Sequence, residues 1–229
     1  MAASGAQIPL FAPEPSPGFD LAGEIERLIS DITRVCRGFS HIDPGRLLVG
    51  WTSSRKRRFG VYATIYPLRF ARGRTSISSR GALWHLPRVL RDGREVDYVI
   101  TFYVPRFLAL DPPSRLAVVF HELFHVSAAC DGDLRRFEGH RSAHGRSVKA
   151  FEAGFQADLA VYMASRRALH FHEILSLSHG EILRRYGAVV PRRVRRPVLE
   201  RRRSTWHYES GANPGSGLIL VRARATEIA

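Results

Sequence analysis

Two histidines and a glutamate stand at the spacing of a metal-binding helix, in the run His121-Glu122-Leu123-Phe124-His125. Residues four apart lie on one face of an α-helix, so the imidazoles of His121 and His125 can converge on a single metal ion. Glu122 follows the first histidine and can reach a water at an open metal position. There a carboxylate can take a proton and later transfer it to a leaving amine. The motif therefore predicts zinc-dependent hydrolysis.

The residues around the motif predict the helix that it needs. Asp111 is suited to cap the N-terminus, and Pro112 is suited to the first helical position. Apolar residues then recur at helical spacing and predict a buried face, namely Leu116, Val119, Phe120, Leu123 and Val126. The alternative interpretation is a pair of helix histidines that only form hydrogen bonds in a core.

A catalytic zinc site has three protein ligands and one open position, so a third ligand is required. The metzincin pattern does not fit, because Ala128 and Asp131 stand where that pattern has a glycine and a histidine. A glutamate on the following helix is one candidate, at Glu152. We favour His144, because an apolar pattern after it predicts a second amphipathic helix whose first-turn imidazole faces the first helix.

The run from 119 to 151, with HELFH and then CDGDLRRFEGHRSAHGRS, resembles the phage-type metallopeptidases, which look like relatives of the SprT-like zincins. Those zincins carry HExxH and then a histidine in a His-Gly motif that opens the next helix. The resemblance implies His121, His125 and His144 as zinc ligands and Glu122 as the base. It is weaker over residues 21–162, and it does not cover the C-terminal tail. The chain has no CxxC pair for the zinc ribbon that SprT-like proteases often add.

His140 does not fit a simple scheme of three ligands. It is a surface residue, a donor to the transition state, or the third ligand in place of His144, and the sequence leaves these three open. The donor to the oxyanion is equally open between His140 and a tyrosine such as Tyr62. Because ligating histidines usually need a partner for their second nitrogen, we expect Glu152 or Asp158 to orient one of them, and we favour Glu152.

Length and composition indicate one domain with extensions, since the chain has 229 residues of which 45% are hydrophobic. No apolar run approaches a membrane span, and the N-terminus lacks the charged and apolar blocks of a signal peptide. We therefore expect a cytoplasmic protein without membrane contact. The only cysteines, Cys36 and Cys130, fit a reducing compartment and build no disulfide framework.

Basic residues dominate the charge, with a net value of +14. They cluster at residues 55–58 and again at 184–203, where nine arginines accompany a single acidic residue. Such segments favour DNA or RNA through phosphate contacts and counterion release. The alternatives are a solubilising surface and an arginine preference that reflects a GC-rich genome.

The pattern of elements predicts an α+β fold, in which a small mixed or antiparallel sheet packs on an N-terminal helix and on two metal-site helices. We expect a disordered lead-in over 1–17, a zincin-like domain over 18–180 and a basic arm over 181–229. The first predicted element is a helix over 20–36, which Asp20 caps and which has an apolar stripe along one face. The others are strands at 47–52, 60–70 and 95–104, the metal helix from 111, and a helix over 147–167.

An edge strand beside a metal helix can pair with an extended peptide and present its carbonyl to the metal, although the sequence does not show which strand is the edge. We therefore expect a zinc metallopeptidase that acts on a protein or peptide substrate, alone or near nucleic acid. The competing interpretation is a nucleic-acid-binding protein with a structural or inactive zincin site.

Overall fold

Helices and strands are both present and are largely segregated along the described chain, which confirms the predicted α+β class. The computed structural model describes residues 18–53, 60–137, 143–165, 175–194 and 197–202. Its helices are α1 (Leu21–Val35), α2 (Pro112–Phe124), α3 (Val148–Ala153), α4 (Gln156–Ala164) and α5 (His179–Tyr186). Its strands are β1 (Leu47–Thr52), β2 (Ala63–Pro67), β3 (Ser76–Ser79), β4 (Ala82–His85), β5 (Val89–Arg91), β6 (Arg94–Val96), β7 (Tyr98–Tyr103) and β8 (Glu200–Arg202).

The central sheet has three strands in the order β1-β7-β2. Strand β7 runs parallel to β1 and antiparallel to β2, so the sheet is mixed. Five of the six residues of β7 are buried, as expected for a strand covered on both faces. The two outer strands, β1 and β2, therefore decide what can approach the sheet from the side.

Helix α1 packs beside β1 and begins as its sequence predicts. The carboxylate of Asp20 accepts a hydrogen bond from the N–H of Gly23 at 3.0 Å, which caps the helix. The predicted apolar stripe is buried, except that Val35, at the last helical position, is 36% exposed. This helix and the sheet form one core with the buried face of α2.

The sequence predicts a loop-rich region over residues 72–94, but the structure places the short strands β3 to β6 within residues 76–96. Strands β3 and β4 form a hairpin and are joined by β8, while β5 and β6 form a second hairpin. Both hairpins turn through two residues with positive φ, Arg80-Gly81 and Asp92-Gly93. Asp-Gly is a strong hairpin signal, because both central residues of this turn need a left-handed backbone.

The described chain after residue 180 packs on the domain at α5, along residues 188–194 and again at β8. The predicted boundary falls inside α5, where Ile182 is fully buried. Beyond α5, the N–H of Trp51 in β1 donates to the carbonyl of Arg192 at 3.0 Å, and its indole donates to that of Val190 at 2.9 Å. The arm that was predicted to be extended is therefore helical up to Tyr186. The segment that contains Val190 and Arg192 covers the outer edge of β1.

Among the described residues, no helix combines the length and the apolar character of a membrane span. The predicted lead-in over 1–17, the basic cluster at 55–58 and the tail beyond residue 202 lie outside the described residues.

Candidate metal centre

Helix α2 carries the first two histidines and the glutamate at its C-terminal end. The side chain of Asp111 accepts from the N–H of Ser114 at 2.7 Å, so the predicted cap is present. His125 follows the last helical residue and keeps a helical backbone, with φ −70° and ψ −19°. Arg135 satisfies the helix end, since its N–H donates to the carbonyl of His125 and its Nε to that of Phe124.

The third histidine lies on a turn, not on a helix. The turn holds His144 in front of α3, which begins only at Val148 and is capped by Ser147. The prediction that His144 lies in the first turn of the second helix is therefore wrong. Gly145 fixes the turn, because its φ is +61° and an added Cβ would lie 2.7 Å from Cγ of Phe137.

The structure brings the three imidazoles together with their Nε2 atoms converging. Nε2 of His121 lies 3.0 Å from that of His144 and 3.3 Å from that of His125. Two nitrogens bound to one tetrahedral zinc at about 2.0–2.1 Å are separated by about 3.3 Å. The cluster therefore has the dimensions of a metal site with three nitrogen ligands.

The surroundings keep these imidazoles neutral, which is the form that binds a metal. Burial lowers the pKa of His121 to about 4 and that of His125 to about 3, and the neighbouring imidazoles act in the same direction. Burial also lowers the pKa of His144, although the Glu152 carboxylate opposes this effect. The ring of Phe151 packs against all three, with centroids 4.4 Å from His125 and 4.9 Å from the other two.

Glu122 is buried beside the cluster, with a relative exposure of 6%. Burial raises the pKa of its carboxyl group to about 8, against the effect of a hydrogen bond from the backbone N–H of Ile65. This N–H belongs to β2, so the strand next to α2 fixes the orientation of the carboxylate. A buried carboxyl with a raised pKa is suited to accept and then release a proton near neutral pH.

Of the two carboxylates predicted to orient a ligand, Glu152 lies at the cluster and Asp158 does not. Oε1 of Glu152 is 3.7 Å from Nδ1 of His121, on the side of the ring opposite to the converging Nε2 atoms. Asp158 instead accepts from the N–H of Gly38 at 3.4 Å. Glu152 therefore occupies the position of a residue that selects the tautomer of His121.

We expect Glu152→Ala to weaken metal binding by about 10–100-fold, the usual effect of losing a partner behind a ligand. Glu152→Gln should restore part of the affinity, because an amide oxygen can still accept from Nδ1. The measurement is a competition titration with a fluorescent zinc chelator. Equal affinities for wild type and Glu152→Ala would show that this carboxylate does not support the site.

An open cleft of about 590 Å³ contains the cluster. One wall is the segment 60–65 with β2, the opposite wall is formed by α3 and the start of α4, and α2 lies between them. Tyr62, a predicted candidate for oxyanion stabilisation, lines this cleft. The other candidate, His140, lies outside the described residues.

Two contacts at the site were not predicted from the sequence. The sequence predicts Phe151 only as an apolar residue of a helix, because its position over the imidazoles depends on how α3 packs against α2. The Ile65 N–H belongs to the backbone of a distant strand, which no side-chain motif reveals. Enrichment in β-branched and aromatic residues is the only signal, since it predicts a strand over residues 60–70.

These features define the class: an α+β domain with three histidines that could hold a metal ion and a buried glutamate in the same cleft. The model of the family described as "putative phage metallopeptidase" matches residues 19–152, more than half of the chain and all four motif residues. The chain belongs to this family, whose description implies a metal-dependent peptidase. Comparison with curated proteins gives no significant match, and neither does comparison with solved structures.

Proposed function

We propose that the protein is a zinc metallopeptidase of the HExxH type, with His121, His125 and His144 as ligands and Glu122 as the catalytic base. The observation that carries the proposal is the convergence of three Nε2 atoms beside a buried glutamate in an open cleft. A relation to the SprT-like zincins is part of the proposal and is supported by His144-Gly145 in front of α3.

The chemistry of the donors favours zinc. Three neutral imidazoles with no protein oxygen among them suit zinc better than magnesium or calcium, which prefer oxygen ligands. Three protein ligands also leave one position for water or substrate. A zinc ion in this site would supply Lewis acidity, which lowers the pKa of a water and polarises a carbonyl.

Glu122 moves the protons of the reaction. Its carboxylate takes a proton from the attacking water and transfers it to the nitrogen of the leaving amine. The hydrogen bond from the Ile65 N–H holds one carboxylate oxygen while the proton moves. Phe151 covers the imidazoles and excludes water from their apolar side, which strengthens the electrostatic interactions in the site.

Strand β2 supplies the edge that a peptide substrate needs. The outer edge of β1 is covered by the segment that contains Val190 and Arg192. The outer edge of β2 instead faces the cleft beside Glu122. An extended peptide can therefore add to the sheet there, with a carbonyl next to the three histidines.

The test is hydrolysis of an unstructured protein, followed by mass spectrometry of the products. The zinc-loaded protein should produce defined peptides, a chelator should stop the reaction, and added zinc should restore it. Absence of cleavage by zinc-loaded, folded protein would contradict the proposed activity.

Contact with nucleic acid is the second candidate, and the distribution of charge favours it. The net charge is +14, and Arg184, Arg185, Arg193 and Arg201 are exposed in the C-terminal part of the described chain. A peptidase that acts on proteins bound to DNA would combine both functions. Proteolysis stimulated by DNA would distinguish it from a plain peptidase, and DNA binding without proteolysis would favour an inactive site.

For this second candidate, we expect affinity for duplex DNA to fall steeply with salt. Each phosphate contact contributes a slope of about −0.9 to the plot of log K against log salt concentration. Arg184→Ala together with Arg193→Ala should reduce the slope by about two units. The measurement is fluorescence anisotropy at several salt concentrations. Arg27→Ala, in an arginine that pairs with Glu24, is the control, and a slope unchanged in the double variant would exclude this surface.

A further inference from the structure

The backbone N–H and C=O groups of β2 point alternately toward its partner strand β7 and toward the cleft. The N–H of Tyr103 donates to the carbonyl of Tyr62, and the N–H of Leu68 donates to that of Asp97, both at 2.8 Å. In this antiparallel register, even-numbered residues of the segment 61–68 therefore bond with β7. The odd-numbered residues Val61, Ala63 and Ile65 point their N–H and C=O groups away from β7.

One of these outward groups already has a partner. The N–H of Ile65 donates to the carboxylate of Glu122. Among the described residues, the backbone groups of Val61 and Ala63 have no such partner, and both residues line the cleft. The edge can therefore accept a strand along Val61 and Ala63, but at Ile65 the N–H is committed to Glu122.

Aliphatic side chains face this open edge across the cleft. Val148, the first residue of α3, is 50% exposed and lines the cleft. Val118 and Ala117 lie one helical turn before His121 on α2 and are half-buried. The carboxylate of Glu152, one turn after Val148, lines the same wall and would repel an acidic side chain.

We infer that the cleft binds an extended peptide segment through the backbone of Val61 and Ala63 and selects an aliphatic side chain that packs against Val118 and Val148. This inference rests on the proposed peptidase function, because it names the substrate class of that site. Its physical basis is the removal of exposed aliphatic surface from water, together with the unpaired edge of β2.

Binding can be tested without turnover, on the zinc-loaded Glu122→Gln protein. The probes are fluorescein-labelled heptapeptides of glycine and serine with one central residue, which is leucine, glycine or aspartate. We expect the leucine peptide to bind at least about tenfold more tightly than the glycine peptide, the lower end of what one apolar subsite contributes. The aspartate peptide should bind most weakly. Only every second amide of an extended peptide faces β2. N-methylation of one alternate set of amides should therefore weaken binding, and N-methylation of the other set should not.

Val148→Ser identifies the subsite, and Val161→Ser is its matched control, since Val161 is 63% exposed on α4 and does not line the cleft. In the Glu122→Gln background, Val148→Ser should remove most of the preference for leucine, whereas Val161→Ser should preserve it. Equal binding of the three peptides, or equal effects of the two serine variants, would overturn the inference. Selective binding together with a wild-type protein that cleaves nothing would sustain the inference and contradict the proposed hydrolysis.

Discussion

Glu122→Gln is expected to abolish peptide hydrolysis while the protein still binds zinc. Glutamine can accept the hydrogen bond from Ile65, but it cannot take a proton from water. General acid–base catalysis contributes about 10²–10⁴-fold, so kcat should fall at least by this range. The measurement is kcat for one fluorogenic peptide, with the zinc content determined on the same samples.

Glu200→Gln is the control for this prediction, because it makes the same change in β8, outside the cleft. Glu200 pairs with His85 and does not line the cleft, so kcat should stay close to that of wild type. Full activity of zinc-loaded Glu122→Gln would remove Glu122 from its role as the base.

Zinc is expected to raise the melting temperature of the wild-type protein by a large amount. A ligand at a free concentration about 1,000 times its Kd stabilises the folded state by about 4.1 kcal/mol. For a domain of this size each kcal/mol corresponds to about 2–4 °C, so the expected shift is about 8–16 °C. His144→Ala should lose most of this shift, because a site with two ligands binds far more weakly. Differential scanning fluorimetry with and without zinc measures both.

His179→Ala is the matched control, since His179 begins α5 and does not line the cleft. Its zinc-dependent shift should equal that of wild type. A shift retained in full by His144→Ala would mean that the third ligand is another residue, and His140, which lies outside the described residues, would be the next candidate.

The elements that could be predicted from the sequence are those with local signals. Asp20 and Asp111 cap their helices as expected, because N-cap chemistry depends only on the next few residues. The pairing of His121 with His125 also follows from helix geometry alone. The three strands of the central sheet lie within segments that are rich in β-branched and aromatic residues, and α1 lies where the apolar periodicity predicts a helix.

The secondary structure of the segment after α2 is less predictable from the sequence. A single helix over 147–167 was expected, but α3 ends at Ala153 and α4 begins at Gln156. The backbone leaves helical geometry at Phe155, with φ −124° and ψ 0°, and at the neighbouring Gly154 an added Cβ would lie 2.4 Å from Cζ of Phe124. The close approach to a ring of another helix is a tertiary constraint, and periodicity within one segment does not contain it.

Longer-range contacts explain the remaining differences. Nothing near Arg192 in the sequence indicates that its carbonyl bonds with Trp51 of β1. Gly50 permits the approach, because an added Cβ there would lie 2.7 Å from Cγ2 of Val194. By contrast, the turn at Asp92-Gly93 carried a local signal for its hairpin.

Zinc content of the purified protein tests the central claim most directly, by elemental mass spectrometry of wild type and His144→Ala side by side. The account predicts about one zinc per wild-type chain and almost none in folded His144→Ala, as expected for a site that needs three protein ligands. A wild-type protein that holds no zinc after reconstitution, or a His144→Ala protein that holds as much as wild type, would contradict it.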